Sequence, residues 1–145
     1  METIKIKKLR DNAIIPTRGS LDSAGLDLYA ATDYAIEIEP HKTVKIGTGI
    51  AVDLPNGTFG ALYPRSGLAT KKGIRLANCV GVCDSDYRGE YIVPLYNDSD
   101  EVVEIAPHDR IAQLIIQEYI PVAIEEAKEL TETQRGEGGF GSTGK

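Results

Sequence analysis

Two carboxylates, two residues apart in the segment NCVGVCDSDYRGEY (78–91), are the first residues whose types and spacing suggest chemistry. Asp84 and Asp86 would project from the same face of an extended strand. Paired carboxylates suit general-base catalysis or cation binding, and the neighbouring Tyr87 offers a flat apolar surface with a polar tip. The runs flanking this polar, glycine-containing centre predict a hairpin. An acidic turn, with Tyr87 as a packing residue at its edge, is the alternative that these residues leave open.

Arg65, Ser66 and Gly67 form a second candidate group, in YPRSGLA (63–69). They supply a guanidinium, a hydroxyl and an unhindered backbone N–H in succession, where a short helical turn is predicted to begin. This arrangement suits the binding of an anion. A strand exit followed by a serine N-cap is the structural alternative.

The glycine-rich segment GFGSTGK (139–145) matches most of the phosphate-loop pattern G-x-x-x-x-G-K-[ST]. A phosphate loop needs a strand before it and a helix after it, and no helix follows this segment in the sequence. Its composition is typical of a flexible tail. Arg135, Ser142, Thr143 and the glycine N–H groups could nevertheless wrap around an anion, while Phe140 could cover a flat ring.

Polar residues also interrupt two apolar strand patterns. Asp27 lies between two leucines in AGLDLYA (24–30), where a turn-capping or solvated aspartate is the simplest interpretation. Gln113 protrudes from the apolar run of PHDRIAQLII (107–116), although alternation alone would also place a polar residue there. In the same segment, Asp109 is placed to pair with a cation at the entrance of the strand.

The charge balance and the cysteine content exclude several classes of protein. The 145 residues carry 16 Lys and Arg against 22 Asp and Glu, a net charge of −6, so we expect no nucleic-acid partner. No run is long and apolar enough to cross a membrane, and the first residues lack the apolar block of a secretory signal. Cys79 and Cys83 fit small buried side chains in a reducing compartment, and no zinc-binding pattern is present. We therefore expect a cytoplasmic protein that does not bind membranes.

The elements that must position these residues are mainly strands. Alternation of apolar and polar residues predicts strands at 3–9, 34–40, 42–54, 58–64, 88–97, 101–106 and 110–120. A hairpin turn is predicted at 55–57, slightly more than one helical turn at 66–73, and either helix or coil at 122–130. Short strands at regular spacing predict a single antiparallel sandwich, jelly roll or barrel, followed by a tail after Thr131.

Taken together and in order, five of these segments closely resemble the motifs of the trimeric deoxyuridine triphosphatase (dUTPase) family. The family motifs are of the types AGxDL, PRSGLA, GVIDxDYRGE, GDRIAQL and RGxGGFGSTG, and the matching residues lie at 24–28, 65–69, 81–90, 108–114 and 135–144. Two residues depart from the pattern. Cys83 replaces the usual isoleucine, which is a packing change, and His108 replaces the usual glycine, which implies strain if that backbone needs a positive φ.

The resemblance implies an all-β, jelly-roll-like antiparallel subunit with one short helix, assembled as a homotrimer with shared active sites. It divides the chain into a dUTPase domain at 1–131 and a flexible C-terminal lid arm at 132–145. The implied reaction is the Mg²⁺-dependent hydrolysis of dUTP to dUMP and pyrophosphate. Such a reaction keeps uracil out of DNA and supplies dUMP for dTMP synthesis.

The resemblance also implies a role for each matching residue. Asp84 would orient and deprotonate the water that attacks the α-phosphorus, and Asp27 would touch Mg²⁺ through water while the phosphates hold the ion. Tyr87 would pack on the deoxyribose and Asn78 would contact uracil. The remaining residues would hold or close over the nucleotide: Arg65, Ser66, Gly67 and Gln113 in the domain, and Arg135, Phe140, Gly141, Ser142 and Thr143 in the arm.

Two other functions are compatible with the same fold. A dCTP deaminase shares it but differs around the PRSGLA segment and lacks the terminal motif. A non-catalytic dUTP-binding sensor would not need Asp84 or the terminal motif, and the sequence contains both. Pyrophosphate release from dUTP and dCTP distinguishes the three possibilities.

Overall fold

The computed structural model describes residues 3–140, whose regular structure is antiparallel β apart from one short helix. The first strands are β1 (Lys5–Lys8), β2 (Thr17–Arg18), β3 (Leu26–Tyr29), β4 (Ile36–Ile38), β5 (Thr43–Gly47), β6 (Ile50–Asp53) and β7 (Thr58–Tyr63). One helix, α1 (Ser66–Lys72), separates them from β8 (Ile74–Leu76), β9 (Gly81–Asp84), β10 (Ile92–Asn97), β11 (Val103–Ile105) and β12 (Arg110–Glu118).

These strands form four small sheets. The largest has the order β2-β3-β12-β7-β9, and the others are β5-β10-β8, β4-β11 and β1-β6. All of the pairings are antiparallel, and most join strands that are distant in sequence. The prediction of an all-β, jelly-roll-like subunit with one short helix is therefore confirmed.

A single apolar core lies between the sheets. Its members are aliphatic side chains from nearly every strand, with one tyrosine, and all are removed from solvent. The largest are Tyr91, Leu28, Ile38, Ile46, Ile50, Ile74, Leu76, Leu95, Ile105, Ile111 and Leu114. This shared burial stabilises the sheets together, because two- and three-stranded sheets alone have little independent stability.

The strand predicted at 42–54 is broken into β5 and β6, which belong to different sheets. The break lies at Gly49, whose φ is +67°, a conformation that favours glycine. The turn predicted at 55–57 does form, with the Thr58 N–H donating to the Pro55 carbonyl at 3.3 Å. It connects β6 to β7, which also lie in different sheets, so it does not close a hairpin.

The prediction of a hairpin over 78–91 was wrong, because the two strands in this region do not pair with each other. Strand β9 pairs with β7, and β10 pairs with β5 and β8 instead of with β9. Asp84 is the last residue of β9, while Asp86 lies in the turn that follows. The two carboxylates therefore do not share a strand face.

The helix and the C-terminal segment follow the sequence pattern only in part. Helix α1 ends at Lys72 and is followed by Gly73, as predicted. Residues 122–130 contain no helix, and the segment 119–140 is without regular structure and almost wholly exposed. The β core thus ends at Glu118, and the predicted domain boundary at 131 stays a prediction. No helix in the described part of the chain is long and apolar enough to cross a membrane.

Asn97 is a fully buried polar residue that fixes the loop between β10 and β11. Its side-chain amide donates to the carbonyls of Ile38 at 2.8 Å and Glu101 at 2.7 Å. Its Oδ1 accepts from the Ser99 N–H at 3.0 Å and the Ser99 hydroxyl at 2.7 Å. All of its hydrogen-bonding capacity is used within the protein.

We expect Asn97→Ala to lower the free energy of unfolding by about 3 kcal/mol, because it removes four hydrogen bonds at once, one of them to the buried Ile38 carbonyl and three to part-buried groups. Asn56→Ala is the matched control, since Asn56 lies exposed in a turn and should change stability by less than about 0.5 kcal/mol. Chemical denaturation at equal protein concentration measures both. Equal losses would contradict this role of Asn97.

Candidate active site

One group of predicted site residues lies at one end of the five-stranded sheet and is centred on Asp27. In the register of that sheet, Asp27 lies opposite Gln113, and Gln113 lies opposite Tyr63. The Asp27 carboxylate accepts from Arg65 Nε at 2.9 Å through Oδ1 and from Arg110 Nη1 at 3.2 Å through Oδ2. Its side chain is only 14% exposed. One largely buried carboxylate therefore orients two guanidinium groups.

The start of helix α1 completes this group. Arg65 precedes the helix in an extended conformation, and no side chain caps the first turn. Ser66 and Gly67 are exposed there, so hydroxyl and N–H donors lie beside the guanidinium. The Gln113 amide donates to the carbonyl of Pro64 at 3.0 Å, which links β12 to the residue preceding Arg65. This cluster of donors can bind an anion that has several oxygens.

A second group surrounds Asp84, which is exposed at the end of β9. The Tyr87 N–H donates to the Asp84 carbonyl at 3.1 Å, so a tight turn brings the tyrosine beside the carboxylate. Both side chains border a cavity of about 240 Å³, lined by Val82, Cys83, Asp84, Tyr87, Glu90, Tyr91 and Ile92. The Tyr87 ring is stacked on Tyr91, with 6.3 Å between ring centroids. The cavity combines a carboxylate with a fixed aromatic wall.

The two groups project from the same face of the sheet but lie apart. Asp84 is opposite Phe59 on β7, and Gln113 is opposite Tyr63 on the same strand. Residues 59 and 63 are four apart, so their side chains share a face and are separated by about 13 Å along the strand. Within one chain, the Asp84 group and the Arg65 group do not meet.

The other predicted residues lie away from both groups or cannot be placed. Asn78 lies in the turn before β9, at the end of that strand opposite to Asp84. Arg135 donates from Nε to the Gly138 carbonyl at 2.8 Å, within its own segment, and Phe140 is fully exposed. Gly141, Ser142 and Thr143 lie outside the described residues.

Two features of the site were missed or misjudged in the sequence. Arg110 was not selected, although it opens β12 and reaches Asp27 across the sheet. Its neighbour Asp109 was expected to pair with a cation, but its Oδ2 accepts the Ala106 N–H at 2.9 Å in a tight turn. His108, in that turn, has a φ of +66°, so the strain anticipated for a residue in place of glycine is present. The signal available in the sequence was the place of Arg110 within the matched motif at 108–114.

The residues present fit a metal ion held mainly by a ligand. Within residues 3–140, no cluster of three or more His, Cys, Asp or Glu side chains is placed to hold a metal. Both carboxylate oxygens of Asp27 already accept from arginines. Asp27 is therefore suited to contacting the water shell of Mg²⁺, an ion that usually retains several waters and takes oxygens from phosphates.

Several known proteins are similar to this chain over nearly its whole length. A family model described as dUTPase matches residues 11–144. A "Deoxyuridine 5'-triphosphate nucleotidohydrolase" of Hydrogenobaculum sp. is 48% identical over 139 residues, covering 96% of each chain. One of that name from Corynebacterium glutamicum is 46% identical, covering 100% of this chain and 97% of its own. The chain belongs to the dUTPase family.

Solved dUTPase structures also share the fold along the whole chain. The dUTPase of Staphylococcus bacteriophage 80alpha with dUpNHpp superposes with a TM-score of 0.89 at 28% identity, covering 99% of each chain. A G164S mutant of the same phage dUTPase gives 0.89 at 27% identity, again over 99% of each. The five-stranded sheet described above is therefore that of a dUTPase subunit.

Cys83, which replaces the isoleucine usual in dUTPases, is half-buried and packs against the core. Burial is the main cause that raises the pKa of its thiol, and the nearby Asp84 carboxylate raises it further, while the nearby Tyr91 hydroxyl acts in the opposite direction. Burial also raises the pKa of the Tyr91 hydroxyl, which lies beneath the cavity. Both groups therefore stay protonated, and hence neutral, at neutral pH.

We expect Cys83 to react about tenfold more slowly than Cys79 with a disulfide reagent at pH 7.5, because the thiolate is the reactive form. Because the pKa of Cys83 is raised, its reaction rate should begin to increase at a higher pH than the rate of an ordinary thiol does. The single variants Cys79→Ser and Cys83→Ser isolate each rate. In denaturant the two rates should become equal, and equal rates in the folded protein would contradict the expectation.

Proposed function

We propose that this protein hydrolyses dUTP to dUMP and pyrophosphate. The observation that carries the proposal is the pairing, on one sheet face, of an exposed carboxylate beside an aromatic wall with a donor cluster built on two arginines. The first group suits a nucleoside and the attack of water, and the second suits a polyphosphate. Membership of the dUTPase family and the relatives' names support dUTP as the substrate.

In the proposed mechanism, Asp84 positions a water molecule for in-line attack on the α-phosphorus and accepts its proton. A bond forms between the water oxygen and the α-phosphorus while the bond to the bridging oxygen of the β-phosphate breaks. Pyrophosphate then leaves with that oxygen. The exposed position of Asp84 at the end of β9 leaves its carboxylate open to water and substrate.

Arg65, Ser66, Gly67 and Gln113 hold the phosphates in this proposal. Asp27 fixes the direction of the Arg65 guanidinium, so less side-chain freedom is lost when the substrate binds. Mg²⁺, held by the phosphates and touched by Asp27 through water, would neutralise charge that develops on them.

We further propose that the active site is completed by association into a homotrimer. The separation of about 13 Å along β7 is too long for Asp84 and the phosphate donors of one chain to act on adjacent phosphates. Between the two groups, Val82 and Ile115 lie on the same face, on either side of the buried Ala61; Val82 is 65% exposed and Ile115 is half-buried. A second copy packed on Val82 and Ile115 would bury these two side chains and bring its own residues to the site.

The contacts to the rest of the nucleotide belong to the same proposal. Tyr87 would lie against the deoxyribose, Asn78 would contact uracil, and the arm with Arg135 and Phe140 would close over the nucleotide in another subunit. The exposure of Phe140 is compatible with that role, since an aromatic side chain without local contacts is available to cover a ring. The cytoplasmic location stays a prediction from sequence.

We expect Asp84→Asn to reduce turnover of dUTP by about two orders of magnitude or more, because the amide cannot accept the proton of water. The substrate should still bind. Asp86→Asn is the matched control, since Asp86 lies in the turn beyond the strand and should keep most of the activity. Pyrophosphate release from dUTP is the measurement, with dCTP as a second substrate to test for deaminase-like specificity. Near-normal turnover of Asp84→Asn would exclude Asp84 as the base.

A co-refolding experiment tests the shared site. Asp84→Asn chains and Arg65→Gln chains should each be inactive alone, yet regain activity when refolded together, because some sites then combine an intact Asp84 with an intact Arg65 from different chains. In the control, Asp84→Asn chains are mixed with chains carrying both changes, so no intact Asp84 is present and no recovery is expected. Mixed trimers verified by native mass spectrometry but without pyrophosphate release would rule out the shared site.

A further inference from the structure

Glu90 ties the loop that carries Tyr87 to the N-terminal segment. Its Oε1 accepts the N–H of Gly49 at 2.8 Å, at the break between β5 and β6. The same oxygen accepts from Nη2 of Arg10, the second residue after β1. The Glu90 side chain is 25% exposed, so its charge is largely withdrawn from water and is compensated by Arg10.

The main chain of Glu90 holds Tyr87 directly. The Tyr87 hydroxyl donates to the Glu90 carbonyl at 3.1 Å. The ring passes so close to Gly89 that a Cβ on that residue would lie 2.3 Å from the Tyr87 oxygen. The next residue, Tyr91, is anchored through its N–H to the Ile50 carbonyl at 2.9 Å. The orientation of the Tyr87 ring therefore depends on where the Glu90 backbone lies.

Tyr87 needs such support because little else restrains it. The residue is 44% exposed, and the stacking recorded for its ring is on Tyr91 alone. A wall that excludes one added hydroxyl group must be placed to within a fraction of an ångström, because a small displacement opens space for that group. A side-chain anchor at Glu90 supplies this restraint through the backbone of the loop.

We propose that the Arg10–Glu90 pair is a positioning device for Tyr87 and thereby sets the selectivity of the site for deoxyribose over ribose. This inference rests on the proposed function, in which Tyr87 lies against the sugar. Arg10 and Glu90 act through the loop backbone, so they are positioning residues and not catalytic ones. Breaking the pair leaves Asp84 and the phosphate donors intact and loosens only the wall beside the sugar.

The test compares kcat/KM for dUTP and for UTP in the full-length protein. We expect Glu90→Ala to lower the dUTP/UTP ratio about tenfold, through a higher KM for dUTP and a gain with UTP. Arg10→Gln should lower it less, because the bond from Gly49 to Glu90 remains, and Arg10→Lys should restore part of the loss. Lys7→Gln is the matched control, since it removes a cation from the same segment and Lys7 makes no side-chain hydrogen bond within residues 3–140. It should leave the ratio unchanged.

A second arm separates positioning of Tyr87 from general loosening of the fold. In a Tyr87→Ala background the wall is already absent, so adding Arg10→Gln or Glu90→Ala should not lower the ratio further. An equal drop with and without Tyr87 would overturn the proposal, as would an unchanged ratio in both single variants. If Glu90→Ala does not fold, judged by circular dichroism, the Arg10 variants give the decision. Absence of pyrophosphate release from dUTP by the unmodified protein would instead refute the proposed function itself.

Discussion

The register of β7 between β12 and β9 is the constraint on which the rest of the structure depends. Backbone hydrogen bonds on both edges of β7 fix which residues of the two neighbouring strands face outward. A slip of β7 by one residue would turn Leu62 toward solvent and move Asp84 and Gln113 out of line with Phe59 and Tyr63. The apolar inner residues oppose such a slip, because Leu62 and Leu114 are buried only in the observed register. Core packing thereby positions the polar face.

The charge arrangement around Asp27 follows from that constraint. Pairing of β3 with β12 brings Asp27 within reach of Arg110, and the end of β7 brings Arg65 to its other oxygen. Two cations and one anion leave an excess of positive charge in a chain whose overall charge is −6. A negative overall charge discourages unspecific binding of polyanions, while a local positive cluster can still bind a small one.

Period-two alternation was sufficient to predict the β class and most strands, and the residues at 66–73 indicated the short helix, because each of these depends on neighbours in sequence. It could not predict the pairing of β9 with β7, since partners of a strand in this fold are distant along the chain. The same limit explains why Arg110 was not selected, because its role depends on Asp27, which is 83 residues away in the sequence. The role of Glu90 was not predicted, because its carboxylate accepts the N–H of Gly49. Gly49 lies at the break between β5 and β6, which the alternation of residue types does not indicate. The motifs supplied the candidate residues of the site, and the structure divides the Asp84 group and the Arg65 group between two ends of a strand.

That division along β7 has a genetic consequence wherever two alleles of such a chain are expressed together. If each site draws Asp84 from one chain and Arg65 from another, a defect in either residue removes sites in direct proportion to the share of altered chains. If one allele is altered at both residues, a site is intact only when both chains that contribute to it are normal. The fraction of intact sites then falls as the square of the fraction of normal chains. The phenotype of two defects then depends on whether one allele carries both or each allele carries one.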